Sequence, residues 1–227
     1  MKTACMDIDG TLLKGFITFE FAEYLHGKKL FKDESYQSQL ALMETFKKGK
    51  INQSEAVSSW LNFWGEGLAG FKQEEILSAA TDFFEIGKKL FFPSSQKLVS
   101  KFKDKNYVVV GVSAGAIEMM SLVKDYLGLD YMFASELEVI DGIYSSKLKT
   151  NLHDKGGKEM ILDKFFKEKD IDSNNSFGFG DSINDLGIFE KVGVRVALNP
   201  SNSLLDFAKK NEFIIATKDN VLNLVKI

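Results

Sequence analysis

Two aspartates, Asp7 and Asp9, stand two positions apart in the segment MDIDGTLL near the start of the chain. A short run of small and apolar residues precedes them, which predicts that they end a buried strand. Side chains two positions apart on an extended strand face the same side, so both carboxylates would share one site. Because each charge raises the free-energy cost of ionising the other, the pair indicates either a bound cation or a solvated turn.

Other polar side chains follow predicted strands further along the chain. The β-branched segment 106–113 ends at Ser113, and the glycine-bounded segment 176–180 ends just before Asp181. Open parallel sheets bind ligands beyond the carboxyl ends of their strands, so we expect these side chains to converge. Three more polar residues complete the set: Asn184 and Asp185 beyond the second of these strands, and Lys158 near the start of a predicted helix.

The acidic members of this set have the chemistry of a magnesium site. Asp7, Asp9 and Asp181 would supply hard oxygen ligands without histidine or cysteine, a donor set that favours Mg²⁺. A divalent cation would also relieve the repulsion between Asp7 and Asp9. Because Mg²⁺ in proteins takes further ligands from phosphate groups, the metal site predicts a phosphorylated substrate.

The remaining members could hold and transfer a phosphoryl group. The Lys158 ammonium and the Ser113 hydroxyl would bind phosphate oxygens, and backbone N–H groups around Gly10 and Ala114 would add donors. Phosphoryl transfer needs little beyond positioning and charge neutralisation. One carboxylate could act as the nucleophile, and a second could protonate the leaving oxygen and then deprotonate water.

Strands and helices alternate in the second half of the chain, which predicts an α/β fold with a mostly parallel sheet. Asp141 and Gly142 suit a two-residue type I′ turn between the two arms of a hairpin. The predicted elements are helix 94–105, strand 106–113, helix 114–128, hairpin 136–148, helix 157–169, strand 176–180, helix 183–191, strand 194–198, helix 202–210 and strand 213–217.

Residues 14–90 differ in pattern, because their apolar residues recur at helical spacing. Asn52 followed by Glu55 indicates a helix start. We therefore predict a helical insertion after the first strand, with boundaries near residues 14 and 90.

Composition excludes several classes of protein. The 227 residues carry a formal net charge of -3 without a basic block, which argues against a nucleic-acid partner. No apolar run approaches the ~20 residues of a membrane span, and the N-terminus lacks a signal-peptide pattern, so we expect a cytoplasmic protein. The single cysteine, Cys5, lies in the first apolar run and is expected to be buried.

Four segments, DIDGTL, VSAG, GGKEMILDKF and GDSINDL, resemble the motifs of the haloacid dehalogenase superfamily in their expected order. The segments ELEVIDGIYSS and VALNPSNSLLDFAKKNEF are further similar to its subfamily IB, the phosphoserine-phosphatase-like branch. The resemblance implies a Rossmann-like doubly wound core, formed by residues 1–13 and 91–227, and a helical cap domain at 14–90. It also implies a Mg²⁺-dependent phosphatase that forms an aspartyl-phosphate intermediate.

Carried over by position, the resemblance implies a role for each acid. Asp7 matches the nucleophile and a Mg²⁺ ligand. Asp9 matches the general acid and base, and its backbone carbonyl would be a further metal ligand. Asp181 matches the metal carboxylate, and Asp185 matches a supporting ligand that acts through water.

The same comparison of motifs implies the phosphate and substrate contacts. Ser113 and Lys158 match the phosphate-binding pair, with Lys155 close enough in sequence to compete for the lysine role. Asn184 matches a contact on the substrate side. Phe16 takes the place of an acid that binds the amine of phosphoserine in that branch, although Glu20 or Glu23 could replace it after a shift in register.

These departures predict that the substrate is a small phosphorylated metabolite other than phosphoserine. The insertion contains no arginine to bind a substrate carboxylate, and lysine does not replace the bidentate contact of arginine. We expect most of the aromatic residues in the insertion to form its core, because aromatics at helical spacing pack together, with Phe16 facing the site. This aromatic set is Phe16, Phe19, Phe21, Trp60, Phe63, Trp64, Phe83 and Phe84.

Other functions stay open at this point. A phosphotransferase or phosphomutase would pass the phosphoryl group to a hydroxyl instead of water, and a non-catalytic protein would only bind Mg²⁺ and phosphate. A dehalogenase is disfavoured because such relatives lack the second acid, here Asp9. A receiver domain is also disfavoured, because such a domain is shorter and places its phosphoacceptor on a later strand. The chain is expected to be a monomer or a homodimer.

Overall fold

A computed structural model describes residues 1–153 and 156–227. One seven-stranded sheet forms the centre of the molecule. Its strands are β1 (Thr3–Met6), β2 (Val108–Ala116), β3 (Tyr131–Ile140), β4 (Ile143–Thr150), β5 (Phe177–Gly180), β6 (Val194–Leu198) and β7 (Ile214–Ala216). The order across the sheet is β4-β3-β2-β1-β5-β6-β7. Within the described residues, the pairing of β3 with β4 is antiparallel and the other strand pairs are parallel.

Helices connect these strands and follow the last one. They are α1 (Ile17–Gly27), α2 (Asp33–Lys47), α3 (Gln53–Leu68), α4 (Gln73–Gly87), α5 (Ser95–Lys103), α6 (Ile117–Leu127), α7 (Gly157–Lys169), α8 (Leu186–Phe189), α9 (Asn202–Lys210) and α10 (Val221–Leu224). Short 3₁₀ segments occur at Lys88–Leu90, Ser173–Asn175 and Ile183–Asp185. In the part of the chain described, no helix is both long and apolar enough to cross a bilayer.

The α/β fold with a mostly parallel, doubly wound sheet is confirmed, because helices cover both faces. Ala4 and Met6 of β1 pack on one face in a large apolar cluster that includes residues of α5 and α6. Cys5, between them, points to the other face and packs with residues of α7 and α8. Its thiol is fully buried, as expected, and burial raises its pKa to about 12.

Most predicted elements agree with the structure, and three differ. Strand β2 continues past Ser113 to Ala116, so α6 begins at Ile117 and not at residue 114. Strand β3 begins at Tyr131, five residues before the predicted hairpin. Its first residues pair with β2, and its later residues form the hairpin with β4. The predicted helix 183–191 is a 3₁₀ turn followed by one turn of α-helix. The type I′ turn is confirmed by positive φ angles of 49° at Asp141 and 78° at Gly142.

Four helices, α1 to α4, occupy the segment between Leu13 and Phe91. The predicted start of α3 is confirmed, since Asn52 and Glu55 form a reciprocal capping box. Both ends of the segment lie side by side: Lys14 N–H donates to Leu90 O at 2.9 Å, and Phe92 N–H donates to Leu12 O at 3.1 Å. The chain therefore leaves the sheet and returns to it at nearly the same point.

The hairpin of β3 and β4 packs against the helical insertion. Gly70 N–H donates to Tyr144 O, and Tyr144 N–H donates to Phe71 O, both at 3.0 Å. Gly65 of α3 lies against β4 so closely that a Cβ there would be 2.5 Å from the Ser146 carbonyl oxygen. Real Cβ atoms do not approach backbone oxygen so closely, so this packing depends on glycine.

We expect Gly65→Ala to lower the free energy of unfolding by about 1–3 kcal/mol, because the added methyl forces α3 away from β4. Gly27→Ala is the matched control, since Gly27 is also helical but a Cβ there meets nothing within 4 Å. Alanine in its place should leave stability unchanged or raise it by less than about 1 kcal/mol. Urea unfolding followed by circular dichroism measures both, and equal effects of the two changes would contradict the packing described.

Candidate active site

Asp7 lies where β1 leaves the sheet, and its carboxylate is nearly buried. Its N–H donates to Phe179 O of β5 at 3.0 Å, which continues the pairing of the two strands past Met6. One carboxylate oxygen accepts from the Thr11 hydroxyl at 3.0 Å, and the other accepts from Lys158 Nζ at 2.7 Å. The residue is 6% exposed.

Asp9 lines the same cavity as Asp7, as the spacing predicts, but it has different partners. Ile17 N–H, at the start of α1, donates to Asp9 Oδ1 at 2.8 Å. The Ser113 hydroxyl donates to Asp9 Oδ2 at 3.4 Å. Burial raises the Asp9 pKa to about 6, although the Ile17 N–H and the Lys158 charge favour the ionised form. Asp9 thus joins the insertion to the sheet and keeps an unusually high proton affinity.

Lys158 bridges two carboxylates from different strand ends. It lies in the first turn of α7, is 7% exposed, and donates to Asp7 Oδ1 at 2.7 Å and to Asp185 Oδ1 at 2.6 Å. Burial alone would lower the Lys158 pKa, but the carboxylates of Asp185 and Asp7 outweigh it and raise the pKa above its usual range. Lys155, the alternative in the sequence, lies outside the described residues.

The turn after β5 holds Asp181 and Asp185. Asp185 Oδ2 accepts from Asp181 N–H at 3.1 Å and from Ser182 N–H at 3.0 Å, so both oxygens of Asp185 already have partners. Asp181 faces Gly10, where a Cβ would clash with its carboxylate. Gly10 also has a φ of +84°, a conformation that favours glycine. The glycine therefore permits the turn after β1 and the close approach of Asp181.

Carboxylate oxygens of Asp7, Asp181 and Asp185 lie within 4.8 Å of one another, so this acidic cluster could bind a metal ion. The Asp9 carboxylate is not part of that cluster. Burial, together with neighbouring carboxylates, raises the pKa of Asp7 to about 7 and that of Asp181 to about 9. One Lys158 ammonium cannot balance three ionised carboxylates, and hard oxygen donors with excess negative charge suit a divalent cation.

Uncharged polar groups also line the cavity near Asp9. Ser113 lies where the pairing of β2 with β3 shifts register, and its hydroxyl oxygen accepts from Gly115 N–H at 2.9 Å. Ala114 lies between them and lines the cavity, as does Asn184 on the opposite turn. The structure therefore brings the polar residues chosen from the sequence to one place.

The cavity has a volume of about 570 Å³ and extends from the acids to the insertion. Phe16 lines it, as expected. Phe21, Trp64, Phe83 and Phe84 pack in the apolar core, which agrees with the interpretation of most aromatics as core residues. Phe19 and Trp60 line the cavity too, and so do Met43, Phe46, Val57 and Thr18, which were not among the predicted site residues. Nothing in their local sequence separates them from other apolar positions of amphipathic helices.

Residues 4–190 match the family model described as haloacid dehalogenase-like hydrolase. The phosphoserine phosphatase of Archaeoglobus fulgidus is 29% identical over 133 residues, which is 59% of this chain and 38% of that protein. The phosphoserine phosphatase of Methanocaldococcus jannaschii is 32% identical over 103 residues, 45% of this chain and 49% of that protein. The aligned region thus spans less than half of either relative.

A solved structure of a phospho-aspartyl intermediate analogue of phosphoserine phosphatase has the same fold. It superposes with a TM-score of 0.70 and 23% identity, over 99% of both chains. At this identity the likeness concerns the fold alone.

We expect the free energy of unfolding, measured with urea in EDTA, to fall as pH rises from 6 to 9. Asp9, Asp7 and Asp181 have pKa values raised from 3.8 to about 6, 7 and 9 in the folded protein. Below pH 3.8 these carboxyl groups are protonated in both the folded and the unfolded protein. Above pH 3.8 the unfolded chain loses the protons, whereas the folded protein keeps each one until the pH reaches the raised pKa. Folded-state stabilisation is therefore lost as pH rises through the raised values, at up to about 1.4 kcal/mol per pH unit for each group.

Asp181→Asn is the test variant, because it removes the group with the highest of these pKa values. Its stability should depend less on pH between 7 and 9 than that of the unaltered protein. A stability that rises over this range, or the same slope in both proteins, would contradict the electrostatics described.

Proposed function

Since the chain belongs to the haloacid dehalogenase-like hydrolase family, we propose that it is a Mg²⁺-dependent phosphatase that hydrolyses a small phosphate monoester through an aspartyl phosphate on Asp7. The observation that supports this most is the placement of Asp7. Its carboxylate is buried at the carboxyl edge of the sheet, contacts Lys158, and shares one cavity with Asp9.

The proposed catalytic core is residues 1–13 and 91–227, and the proposed cap domain is 14–90. Support comes from the two segments that connect these parts, because they lie side by side. Lys14 N–H donates to Leu90 O, and Phe92 N–H donates to Leu12 O. An insertion with adjacent ends can be added to a complete sheet without altering the order of its strands. The cavity lies between the two proposed parts, with the acids on the core side and aromatic residues on the cap side.

Asp7 and Asp181 would hold Mg²⁺ directly, with the backbone carbonyl of Asp9 as a third ligand and Asp185 as a support through water. This assignment suits Asp185, whose oxygens already accept hydrogen bonds from Lys158 and from the backbone. When bound, Mg²⁺ would neutralise charge on the phosphate and on the acidic cluster.

The phosphate would be held by Lys158, the Ser113 hydroxyl and the backbone N–H groups around Gly10 and Ala114. A carboxylate oxygen of Asp7 attacks phosphorus, and the bond to the ester oxygen breaks. Asp9 gives its proton to that oxygen, so a neutral alcohol leaves. A pKa of about 6 keeps a useful fraction of Asp9 protonated near neutral pH.

Asp9, now ionised, takes a proton from water as the water oxygen attacks phosphorus. The bond between phosphorus and Asp7 then breaks, which releases inorganic phosphate and restores the Asp7 carboxylate. Each proton that Asp9 donates in the first step is thus recovered in the second. Asn184, which lines the cavity, would contact the substrate.

Phosphoserine is not the substrate we propose. Phe16 lines the cavity where an acid would bind the amine. Glu20 and Glu23 are not among the described residues that line it, so they do not replace that acid. The substrate would therefore be a less zwitterionic phosphate monoester.

Asp7→Asn should abolish phosphate release, and Asp9→Asn should reduce kcat by at least about 100-fold, because a nucleophile and a proton donor are lost. Both variants should keep the circular dichroism of the unaltered protein. Asp104→Asn, at an exposed position far from the cavity, is the matched control. Full activity in Asp7→Asn would refute the assignment of Asp7 as the nucleophile. If the unaltered protein hydrolyses none of many phosphate esters, the proposal that it is a phosphatase is wrong.

EDTA should remove activity, and added Mg²⁺ should restore it. Mg²⁺ should also raise the melting temperature of the unaltered protein and of Asp104→Asn, because it binds only the folded acidic cluster. The rise should be lost in Asp181→Asn. If Mg²⁺ raises the melting temperature of all three proteins equally, the metal does not bind at this cluster.

A further inference from the structure

The cavity has two chemically different ends. Its acidic end is built from the strand ends and α7. Its other end is built from the helical insertion, and the residues that line it there are Phe16, Phe19, Met43, Phe46, Val57 and Trp60. We call this set the aromatic end. A phosphate held by Lys158 and Ser113 would direct the organic part of its ester toward this end.

The aromatic end carries no charge among the described residues. The insertion residues that line the cavity are apolar or are neutral polar groups such as Thr18, Gln53 and Ser54. A carboxylate or an ammonium on the organic group would leave water without gaining an opposite charge from the insertion, which is unfavourable. An apolar group would gain free energy from the same transfer.

Two acids of the core, Glu159 and Glu190, also line the cavity and could attract an ammonium group. Glu159 is already paired with Lys191, at 3.0 Å between carboxylate oxygen and Nζ. Glu190 is exposed, so solvent screens its charge. Neither acid therefore outweighs the apolar surface, and an ammonium-bearing ester serves as a direct test of this point.

Two buried polar groups at the wall lack a partner among the described residues: the Thr18 hydroxyl and the Trp60 indole N–H. Thr18 Oγ1 and Ser113 Oγ both lie about 3 Å from the position that a Cβ on Gly115 would occupy. The Thr18 hydroxyl is therefore close to Ser113, which would hold the phosphate. Both groups are uncharged, so neither supplies the counter-charge that an ionised organic group would need on leaving water.

We propose that the organic group of the substrate is uncharged and predominantly apolar, an alkyl or arylalkyl chain that fills the aromatic end. This inference rests on the proposed phosphatase function and specifies its substrate class. Phosphoserine and ethanolamine phosphate would be poor substrates, because their charged groups would face an apolar wall.

The test is kcat/KM with Mg²⁺ for straight-chain alkyl phosphates from ethyl to hexyl, beside phosphoserine and ethanolamine phosphate. Alkyl leaving groups of similar intrinsic reactivity isolate the effect of binding. We expect kcat/KM to rise about fourfold per methylene until the cavity is full. Hexyl phosphate should exceed both charged esters by at least about tenfold.

Phe46→Ala should lower the ratio of kcat/KM for hexyl phosphate to that for ethyl phosphate by about threefold or more, because it removes apolar wall. Phe63→Ala is the matched control: Phe63 is a half-buried residue of α3 that does not line the cavity, so the ratio should stay the same. Binding of hexylphosphonate should also change tryptophan fluorescence, since Trp60 lines the aromatic end and stacks on Trp64 with ring centres 5.6 Å apart.

The outcomes separate the two levels of the proposal. Turnover that is independent of chain length, or a preference for phosphoserine or ethanolamine phosphate, overturns the inference and leaves the phosphatase function standing. Release of phosphate from none of the esters, with Mg²⁺ present, overturns the phosphatase function and this inference with it.

Discussion

The site depends on one electrostatic constraint: four aspartates and one lysine share one end of the cavity, and Asp7, Asp185 and Lys158 are buried there. Lys158 meets this constraint in part by bonding to Asp7 and Asp185 at once. A buried ion pair is stabilising only when its geometry is good and its remaining groups are satisfied, and here Thr11 and the backbone satisfy them. The negative charge that is left over is what makes the cluster suitable for a cation.

The sheet supplies the geometry that this constraint requires. Strands β1 and β5 are neighbours in parallel register, so Asp7 and Asp181 leave the sheet at the same edge. Helix α7 packs on the face of the sheet that contains Cys5, and its first turn brings Lys158 to the same edge. Because each strand end and the helix start belong to different parts of the chain, the acidic cluster forms only when β1, β5 and α7 come together.

Much of this could be predicted from sequence because it depends on local pattern. The bounds of α7, β6 and α9 agree with prediction, since apolar periodicity marks buried faces directly. The polar residues of the site could be found because they follow strands and are too polar for the core. The early start of β3 could not, because its first residues pair with β2, which is distant in sequence. The aromatic end beyond Phe16 was missed for a similar reason: Phe46 and Phe21 have the same residue type and helical setting, and only the tertiary arrangement places one at the cavity and the other in the core.

The chain enters and leaves the segment 14–90 at adjacent points, where Lys14 bonds to Leu90 and Phe92 bonds to Leu12. This arrangement has an evolutionary consequence. The acids, the lysine and the sheet are encoded outside residues 14–90, whereas the wall that meets the organic group is encoded inside them. Exchange of that segment by recombination would rejoin the chain at two points that already touch, with the reactive groups unchanged. Inherited variation in this lineage can therefore alter selectivity and reactivity separately, because they lie in different stretches of the gene.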